Sequence, residues 1–436
     1  MKIFQKNWKS LYGIRLFYSP AALKKISIAI AFISILFYIA RAVQQFIGLD
    51  NQVLLWDFQQ FYTAAITLAH GQDPYQTFLS SCPVHHWCSG GYIFPPLLAE
   101  VLYPFTFFSL LTASKIWLIL CHVIFGLTIF LVYKGFGEYL TTTQKGILLF
   151  GTLLFLPLYE SLYFLQVGII LLFLITLAAV EYVRRKNEIS SGIFMGVASI
   201  LRVTPIIMLP LYLRQLQRKK KPLGLISLII TAAILCIILL ILTPYTAKYF
   251  SIVLPRIGTG TQSLDNISFP AVIDRISYIY TGDISLWATV FSALLGISFI
   301  GYTWLKSLKV EESPINKMLI FAAFLAVLPI ISSITWRHHL VTELLVFVLI
   351  TPSLYRHKIA LKLVVLSYFL LWIDRHITDG VNTFLFGSHS MQYFQDWRIA
   401  PFLLITSCNL IGMLLLWWIT IILLNQSKPP PNKSDS

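Results

Sequence analysis

Three polar elements in a largely apolar chain carry side chains that could take part in chemistry. Asp57 lies near the start of the stretch Trp56–Tyr75, in which aromatic and small residues recur at helical spacing. Arg202 stands well inside an apolar run, and the pair His338 and His339 follows another. Carboxylates and imidazoles can carry protons, and a cation inside an apolar segment is a functional candidate by default.

Each of these residues also has a structural interpretation. Asp57 stands where a helix N-cap would stand, and Gly71 followed by Asp73-Pro74 predicts the end of that helix. Arg202 could form a structural ion pair or extend towards the membrane surface. The two histidines could simply lie at a membrane interface. Local sequence alone leaves these alternatives open.

The composition places the three elements in a membrane protein with many spans. Of 436 residues, 57% are hydrophobic and 12% are charged, whereas soluble domains contain about 25% charged residues. Apolar runs of bilayer-spanning length recur, and no cleavage pattern follows the first, so no signal peptide is expected. The formal net charge of +15 comes from basic residues in short loops, which is the positive-inside pattern. We therefore expect membrane lipids as partners and no nucleic acid.

The distribution of charge also predicts which loops lie on the same side of the membrane. The N-terminal arm, residues 1–25, is rich in lysine and should be cytoplasmic, like the polar tail 425–436. No Lys or Arg occurs from Ala42 to Ser114. The loop 49–110 is therefore predicted to be non-cytoplasmic. Following the crossings along the chain from there places the loops 244–283 and 375–399 on the same side.

The predicted fold is an all-α polytopic bundle over residues 26–424, with about ten crossings, among them 164–183 and 339–354. The stretch 92–108 is apolar but short and contains three prolines. It could be a full span, but we expect juxtamembrane helices in the outer leaflet, because the charges of the following loops then fall on the expected sides. Residues 190–214 are apolar but have basic flanks on both sides. Two half-helices that meet near Arg202–Pro205 and return to the same side would remove this conflict.

The predicted outer loops are rich in acids, amides, histidines and aromatics, which indicates a site at the outer membrane boundary. In one of them Cys82 and Cys88 flank two histidines. A disulfide, free thiols and a crowded zinc site are all compatible with this spacing. We find no nucleotide-binding fingerprint and no strong metal-ligand spacing. An enzyme at this boundary needs an activated substrate already held in the membrane, such as a lipid-linked phosphate.

Five motifs occur in an order that resembles one enzyme family. They are WDFQQFYTAAITLAHGQDPYQ, YIFPPLLAEVLYPF, LQVGIILLFLITLA, GIFMGVASILRVTPIIMLPLYL and ITWRHHLV, and they cover roughly residues 50–345. The chain is similar to the family-87 glycosyltransferases, which are multispanning GT-C enzymes. Members use polyprenyl-phosphate sugars, typically mannose, as donors. The resemblance therefore implies a GT-C-like bundle.

The motifs match that family in part. An Asp-Phe pair followed by an aromatic pair is present, and the Trp-x-His-His element is intact at residues 336–339. Phe94 replaces the Tyr of a Tyr-Pro-Pro element, and Leu165 stands where the family favours Gly before Gln. Arg202 stands where Lys is common, and Thr261 stands where an Asn is common.

The resemblance implies an inverting sugar transfer with Asp57 as general base. Cations near the leaving lipid phosphate would stabilise its developing charge. The aromatic residues could stack on sugar faces or belong to an interfacial belt. The predicted substrate-binding residues are Phe58, Tyr62, Arg202, Gln262, Asn266, Arg275, Trp336, His338 and His339. No metal and no cofactor are expected.

The expected function is transfer of a sugar, mannose or a related hexose or pentose, to a lipid-linked or cell-envelope glycan. The expected location is a bacterial inner membrane, with the site on its outer face; an endoplasmic-reticulum membrane would give the same assignment of sides. A transporter or flippase of lipid-linked sugars is the main alternative, and a noncatalytic scaffold is a third. A transporter would favour a midplane site and an internal repeat, and the sequence shows no fixed-period repeat.

Overall fold

The structure is a computed structural model that describes residues 19–51, 56–81, 91–217, 221–259, 265–281, 286–355, 357–373, 377 and 407–427. All regular structure in these ranges is helical. The α-helices are α1 Pro20–Gly48, α2 Trp56–Ala69, α3 Gln76–Ser81, α4 Pro96–Leu102, α5 Leu110–Phe136, α6 Thr142–Leu153, α7 Leu156–Tyr163, α8 Gly168–Val180, α9 Glu188–Leu201, α10 Leu209–Gln217, α11 Leu223–Leu242, α12 Tyr245–Lys248, α13 Leu254–Gly258, α14 Phe269–Thr281, α15 Leu286–Leu308, α16 Pro314–Ile331, α17 Glu343–Leu354, α18 Lys358–Trp372 and α19 Cys408–Gln426.

Six helical segments in the described ranges are long and apolar enough to cross a membrane, and a bent pair raises this number to seven. The six contain α1, α5, α11, α15, α16 and α19, and the pair is α6 with α7, bent by 42°. The predicted crossings at 164–183 and 339–354 correspond to α8 and α17, which have 13 and 12 residues. Both are largely buried, because other helices rather than lipid surround them. The predicted count of about ten crossings is therefore not confirmed.

The described parts of two loops predicted to face outward, 49–110 and 244–283, meet at one end of the helical bundle, where Lys248 pairs with Asp73. The third predicted loop, 375–399, lies outside the described residues except for residue 377. Lys115, near the start of α5, forms an ion pair with Asp50, with 2.5 Å between Nζ and Oδ1. The backbone N–H of Ile267 donates to the carbonyl of Thr335 at 2.8 Å. Segments far apart in the chain thus form one polar layer.

The basic loops predicted to be cytoplasmic meet at the other end. Helix α5 has 27 residues and runs from the first layer to this one. Just beyond its end, Glu138 pairs with Arg184. Arg214 is buried here and donates from Nε to the carbonyl of Ser307 at 3.0 Å. The charge pattern of the sequence therefore divides the loops into two groups. In the described part of the chain, contacts form between loops of the same group.

The segment between α9 and α10 is broken where the sequence predicts it. Helix α9 ends at Leu201, Arg202 has an extended backbone (φ −152°, ψ 128°), and a 3-10 turn covers Thr204–Met208. The segment then returns, since the hydroxyl groups of Ser191 and Tyr212 lie 2.8 Å apart. Both of its ends lie at the same end of the bundle, as a re-entrant pair requires.

Helix α9 packs unusually closely against α11, and this contact sets its direction. A Cβ atom at Gly192 would lie 2.1 Å from the carbonyl oxygen of Gly224. One at Gly196, a turn later, would lie 2.9 Å from the carbonyl oxygen of Leu228. Small residues four apart allow two helix backbones to approach in this way. The contact therefore directs the end of α9, and with it Arg202, towards the polar layer.

The stretch 92–108 forms two short helical pieces. Helix α4 has seven residues, and a 3-10 helix of five residues, Tyr103–Phe107, follows it. Neither piece is long enough to cross a bilayer. This agrees with the predicted juxtamembrane helices.

Gly91 is a position that requires glycine. Its φ is +101°, and a Cβ there would lie 2.6 Å from the backbone nitrogen of Phe78. We expect Gly91→Ala to lower the free energy of unfolding by about 1–3 kcal/mol, measured as a lower melting temperature of the detergent-solubilised protein. Gly126→Ala is the matched control, because nothing lies within 4 Å of its Cβ. Equal melting temperatures for the two variants would contradict the prediction.

Candidate active site

A cavity of about 700 Å³ opens in the polar layer, within the size range of ordinary ligand sites. Its walls come from α2, the turn before α8, the break after α9, the segment that follows α16 and residues 265–268, which we call the 265 loop. The polar and charged side chains that line it are Asp57, Gln60, Glu160, Gln166, Arg202, Thr204, Asp265, Ser332, Ser333, Trp336, Arg337, His338 and His339, together with Tyr249. The predicted residues Asp57, Arg202, Trp336, His338 and His339 thus share one space.

Asp57 lies in the first turn of α2 rather than at its N-cap, because the helix already begins at Trp56. The predicted capping position is therefore wrong by one residue or more. The side chain instead accepts a hydrogen bond from Gln166, with 2.5 Å between Nε2 and Oδ2. Burial raises the pKa of Asp57 to about 6, and the hydrogen bond from Gln166 opposes this rise. Asp57 is thus poised to exchange a proton near neutral pH.

A buried support holds Asp57 and Gln166 together. Phe58 is fully buried, and its ring lies 5.8 Å from that of Trp117. The indole N–H of Trp117 donates to the carbonyl of Leu165 at 2.9 Å, and Gln166 is the next residue. Phe58 is therefore a packing residue behind Asp57, outside the cavity lining.

Leu165 has a left-handed backbone with φ +53°. This conformation is costly for a residue with a branched side chain, by about 1–2 kcal/mol. The side chain is completely buried, so core packing offsets the strain. The strained corner turns the chain sharply between α7 and α8 and places Gln166 against Asp57.

Tyr62 lies further along α2 and points to a different neighbour. Its hydroxyl group donates to the carbonyl of Phe108 at 2.7 Å. This bond attaches α2 to the juxtamembrane segment. Tyr62 does not line the cavity.

Arg202 projects into the cavity from the break after α9. Its Nη2 lies 2.8 Å from Nδ1 and 2.7 Å from Nε2 of His339, and its guanidinium carbon lies 5.9 Å from the centre of the Phe94 ring. Within the described ranges no carboxylate forms an ion pair with Arg202. Its positive charge is therefore available to an anion in the cavity.

The two histidines are poor candidates for cations. The backbone N–H of Trp336 donates to Nδ1 of His339 at 3.0 Å, and a protonated ring would place a second positive charge against Arg202. Burial lowers the pKa of His338 well below its usual range, and the charges of Arg202 and Arg337 lower it further. We therefore interpret both imidazoles as neutral. The predicted role of stabilising charge then falls mainly on Arg202.

Arg337 was not among the predicted site residues, although it lies inside the Trp-x-His-His element. Its Nε donates to Oε1 of Glu160 at 3.2 Å, and its Nη2 lies 4.0 Å from Oδ1 of Asp265. All three residues line the cavity. These pairs join α7, the 265 loop and the 3-10 helix Arg337–Thr342, so they set the shape of the cavity wall on this side. In the sequence, only the position of Arg337 between Trp336 and His338 could have indicated that it belongs to the site.

Asn266 and Arg275 lie behind the cavity wall. The side-chain amide of Asn266 donates to the carbonyl of Ser333 at 2.8 Å and accepts from the N–H of Thr335 at 2.9 Å. Arg275 donates to the carbonyl of Asn266 at 2.9 Å. These bonds fix the loop that carries the Trp-x-His-His element. Gln262 falls outside the described residues.

No group of three or more His, Cys, Asp or Glu side chains that could hold a metal ion occurs in the described part of the chain. Cys82 and Cys88, for which the sequence leaves a disulfide open, lie outside the described residues. The other three cysteines are free thiols, and Cys121 is buried.

Comparison with known proteins gives one family and one structural likeness. Residues 92–352 match the sequence profile described as Glycosyltransferase family 87. No curated protein matches the chain. Among solved structures, ArnT from Cupriavidus metallidurans bound to undecaprenyl phosphate is similar, with 12% identity over 90% of this chain and 77% of that chain and a TM-score of 0.40. Its apo state gives 12% identity, 90% and 76% coverage and a TM-score of 0.36.

Proposed function

We propose a reaction for this chain, which belongs to glycosyltransferase family 87. It transfers a sugar from a polyprenyl-phosphate donor to a hydroxyl group of a lipid-linked or cell-envelope glycan. The observation that carries the proposal is that one cavity holds both a half-buried carboxylate, Asp57, and a cation without an acidic partner among the described residues, Arg202. A base for the acceptor and a positive charge for the leaving group are what such a transfer needs.

Asp57 acts as the general base. It takes the proton of the acceptor hydroxyl group while that oxygen forms a bond to C1 of the donor sugar. The bond between C1 and the phosphate oxygen breaks, and its electron pair leaves with the lipid phosphate. Attack from the side opposite the leaving group inverts the configuration at C1. Gln166 keeps one carboxylate oxygen occupied, so that the other faces the acceptor.

Arg202 receives the departing phosphate. Phosphate oxygens gain negative charge as the bond to C1 breaks, and a guanidinium can form two parallel hydrogen bonds with them. His339 lies against Arg202 and limits its orientation. The cavity wall beside Arg202 is apolar, with Val203, Ile206 and Ile207 among its residues. This wall suits the first isoprene units of the lipid.

The donor sugar in this proposal is mannose or a related hexose or pentose, as the family resemblance implies. The site faces outward from a bacterial inner membrane, because the charge pattern assigns the loops around the cavity to the non-cytoplasmic side. The deciding test incubates membranes that contain the chain with radiolabelled polyprenyl-phosphate mannose and identifies the product. Label in a glycan or glycolipid supports the proposal. The proposal is contradicted if the label stays on the mannose donor and if no sugar is transferred from the corresponding pentose and other hexose donors.

Gln166 should control the pH dependence of transfer. Asp57 works as a base only when ionised, so we expect kcat/KM to fall below a pH of about 6 and to level off above it. In Gln166→Leu the ionised form loses a hydrogen bond, so the apparent pKa should rise by about one to two units. The descending acid limb of the pH profile then moves to higher pH, and the rate recovers in alkaline buffer.

Gln45→Leu is the control for this prediction. Gln45 also donates from its amide, but to the backbone carbonyl of Leu162. Its loss should leave the pH profile unchanged. An unshifted profile in Gln166→Leu would show that Gln166 does not set the protonation of Asp57.

A further inference from the structure

A second, polar groove of about 550 Å³ runs along α2 beside the cavity. Gln60 and Gly91 line both spaces, so the groove is continuous with the site that holds Asp57. No function is assigned to it by the reaction described above. We call it the α2 groove, and its polar lining includes Gln59, Gln60, Thr63, Thr67 and Gln72.

The lining of the α2 groove is polar but has almost no net charge. Amides and hydroxyl groups dominate it, and no lysine, arginine or histidine is among its described lining residues. Its one acid, Asp73, is neutralised by an ion pair with Lys248. Amides both donate and accept hydrogen bonds, as do hydroxyl groups. This chemistry matches a neutral ligand with many hydroxyl groups, and the described lining contains no cation that would favour an anion.

The end of the groove is held in place by contacts from a distant part of the chain. Gly71 adopts a left-handed turn with φ +68°, and Gln72 donates from its N–H to the carbonyl of Thr67 at 2.9 Å. The hydroxyl group of Tyr245 donates to the carbonyl of Gly71, also at 2.9 Å. The backbone at this end of the groove is therefore ordered before a ligand binds, which lowers the entropic cost of binding.

We propose that the α2 groove binds the neutral oligosaccharide part of the acceptor. The terminal sugar enters the cavity, and the preceding sugars lie past Gln60 along Thr63 and Thr67. The donor lipid and the acceptor glycan then approach from different sides, the first along the apolar wall and the second along the polar groove. The direction of the glycan rests on the proposed function, whereas binding in the groove can be measured without transfer.

The test measures binding of three neutral tetrasaccharides, mannotetraose, maltotetraose and cellotetraose, to the full-length protein in detergent. Tetragalacturonate is the anionic comparison. We expect at least one neutral tetrasaccharide to bind with a Kd of about 1 mM and tetragalacturonate to bind at least tenfold more weakly. Thr63→Trp fills the groove from an exposed position and should weaken neutral binding at least tenfold. Ala69→Trp, an exposed position on the same helix outside the lining, should not.

A second variant distinguishes a loss of binding from a folding defect caused by the bulky tryptophan. The double substitution Gln59→Ala with Gln72→Ala removes two exposed amides without adding bulk and should also weaken binding. The proposal is overturned if no neutral tetrasaccharide binds, if tetragalacturonate binds equally well, or if both groove variants bind like the wild type. Binding without any sugar transfer would contradict the proposed function alone. Transfer with an unchanged acceptor KM in Thr63→Trp would contradict the groove alone.

Discussion

Replacing Asp57 by asparagine is expected to lower sugar transfer by about 10²–10⁴-fold, the usual contribution of a general base. The amide oxygen of asparagine can still accept the hydrogen bond from Gln166, and the side chain keeps its size. The support formed by Phe58, Trp117 and Leu165 is untouched. The loss should therefore appear in kcat at constant melting temperature. A steady-state assay with a polyprenyl-phosphate sugar donor, together with a thermal unfolding curve, separates the two effects.

Asp50→Asn is the matched control, because Asp50 lies in the same predicted outer loop but pairs with Lys115 outside the cavity. It should retain transfer within about twofold of the wild type, since exposed ion pairs contribute little. If Asp57→Asn were as active as Asp50→Asn, another group would have to be the base. Glu160 would then be the first candidate, because it also lines the cavity.

Arg202→Met should lower kcat by about 10²–10³-fold, as expected when one group that stabilises developing charge is lost. Methionine fills much of the same volume beside Phe94 and next to His339 but carries no charge. The negative charge on the leaving phosphate then develops beside a largely apolar wall, without the positive charge of Arg202 to stabilise it. Arg202→Lys keeps the charge and should retain more activity than Arg202→Met, although it lacks the two parallel hydrogen bonds. Single-turnover transfer rates measure the effect directly.

Arg256→Met tests whether any outer-loop arginine would give this result. Arg256 contacts the carbonyl of Leu79 and the ring of Phe78, outside the cavity. We expect nearly normal transfer from this variant. A drop of less than threefold in Arg202→Met would exclude Arg202 as the group that receives the phosphate.

The grouping of the loops could be predicted because charge is a long-range signal in a membrane protein. Lysine and arginine mark the cytoplasmic side, and in the described part of the chain the loops 49–110 and 244–283 contact each other, as the charge pattern predicts. The break near Arg202 was also predictable, since a charge and Pro205 together make a continuous apolar helix unfavourable. Hydropathy alone cannot distinguish a helix surrounded by lipid from one surrounded by protein. Hydropathy therefore counts the segments of α8 and α17 among the crossings, although both are surrounded mainly by protein.

The partners of the site residues could not be predicted. Gln166 is 109 positions from Asp57 along the chain, and Arg337 is 177 from Glu160. No local pattern encodes such a pairing, which depends on how the helices pack. Aromatic residues at helical spacing are similarly ambiguous, because the same pattern suits a core, a lipid-facing surface or a sugar-binding face. Both Phe58 and Phe61 lie on α2, but Phe58 is outside the cavity lining and Phe61 is part of it, and only the packing of α2 distinguishes them.

The corner at Leu165 makes two opposite contributions to the stability of the protein. Its backbone is left-handed, which costs free energy, while its side chain is completely buried, which stabilises the fold. The resemblance to family 87 implies glycine at this position. Leu165→Gly would relax the backbone but leave an empty space in the core, so the change in the free energy of unfolding is the difference between the two effects. This corner therefore holds Gln166 in place through core packing rather than through a backbone conformation that glycine would allow at no cost.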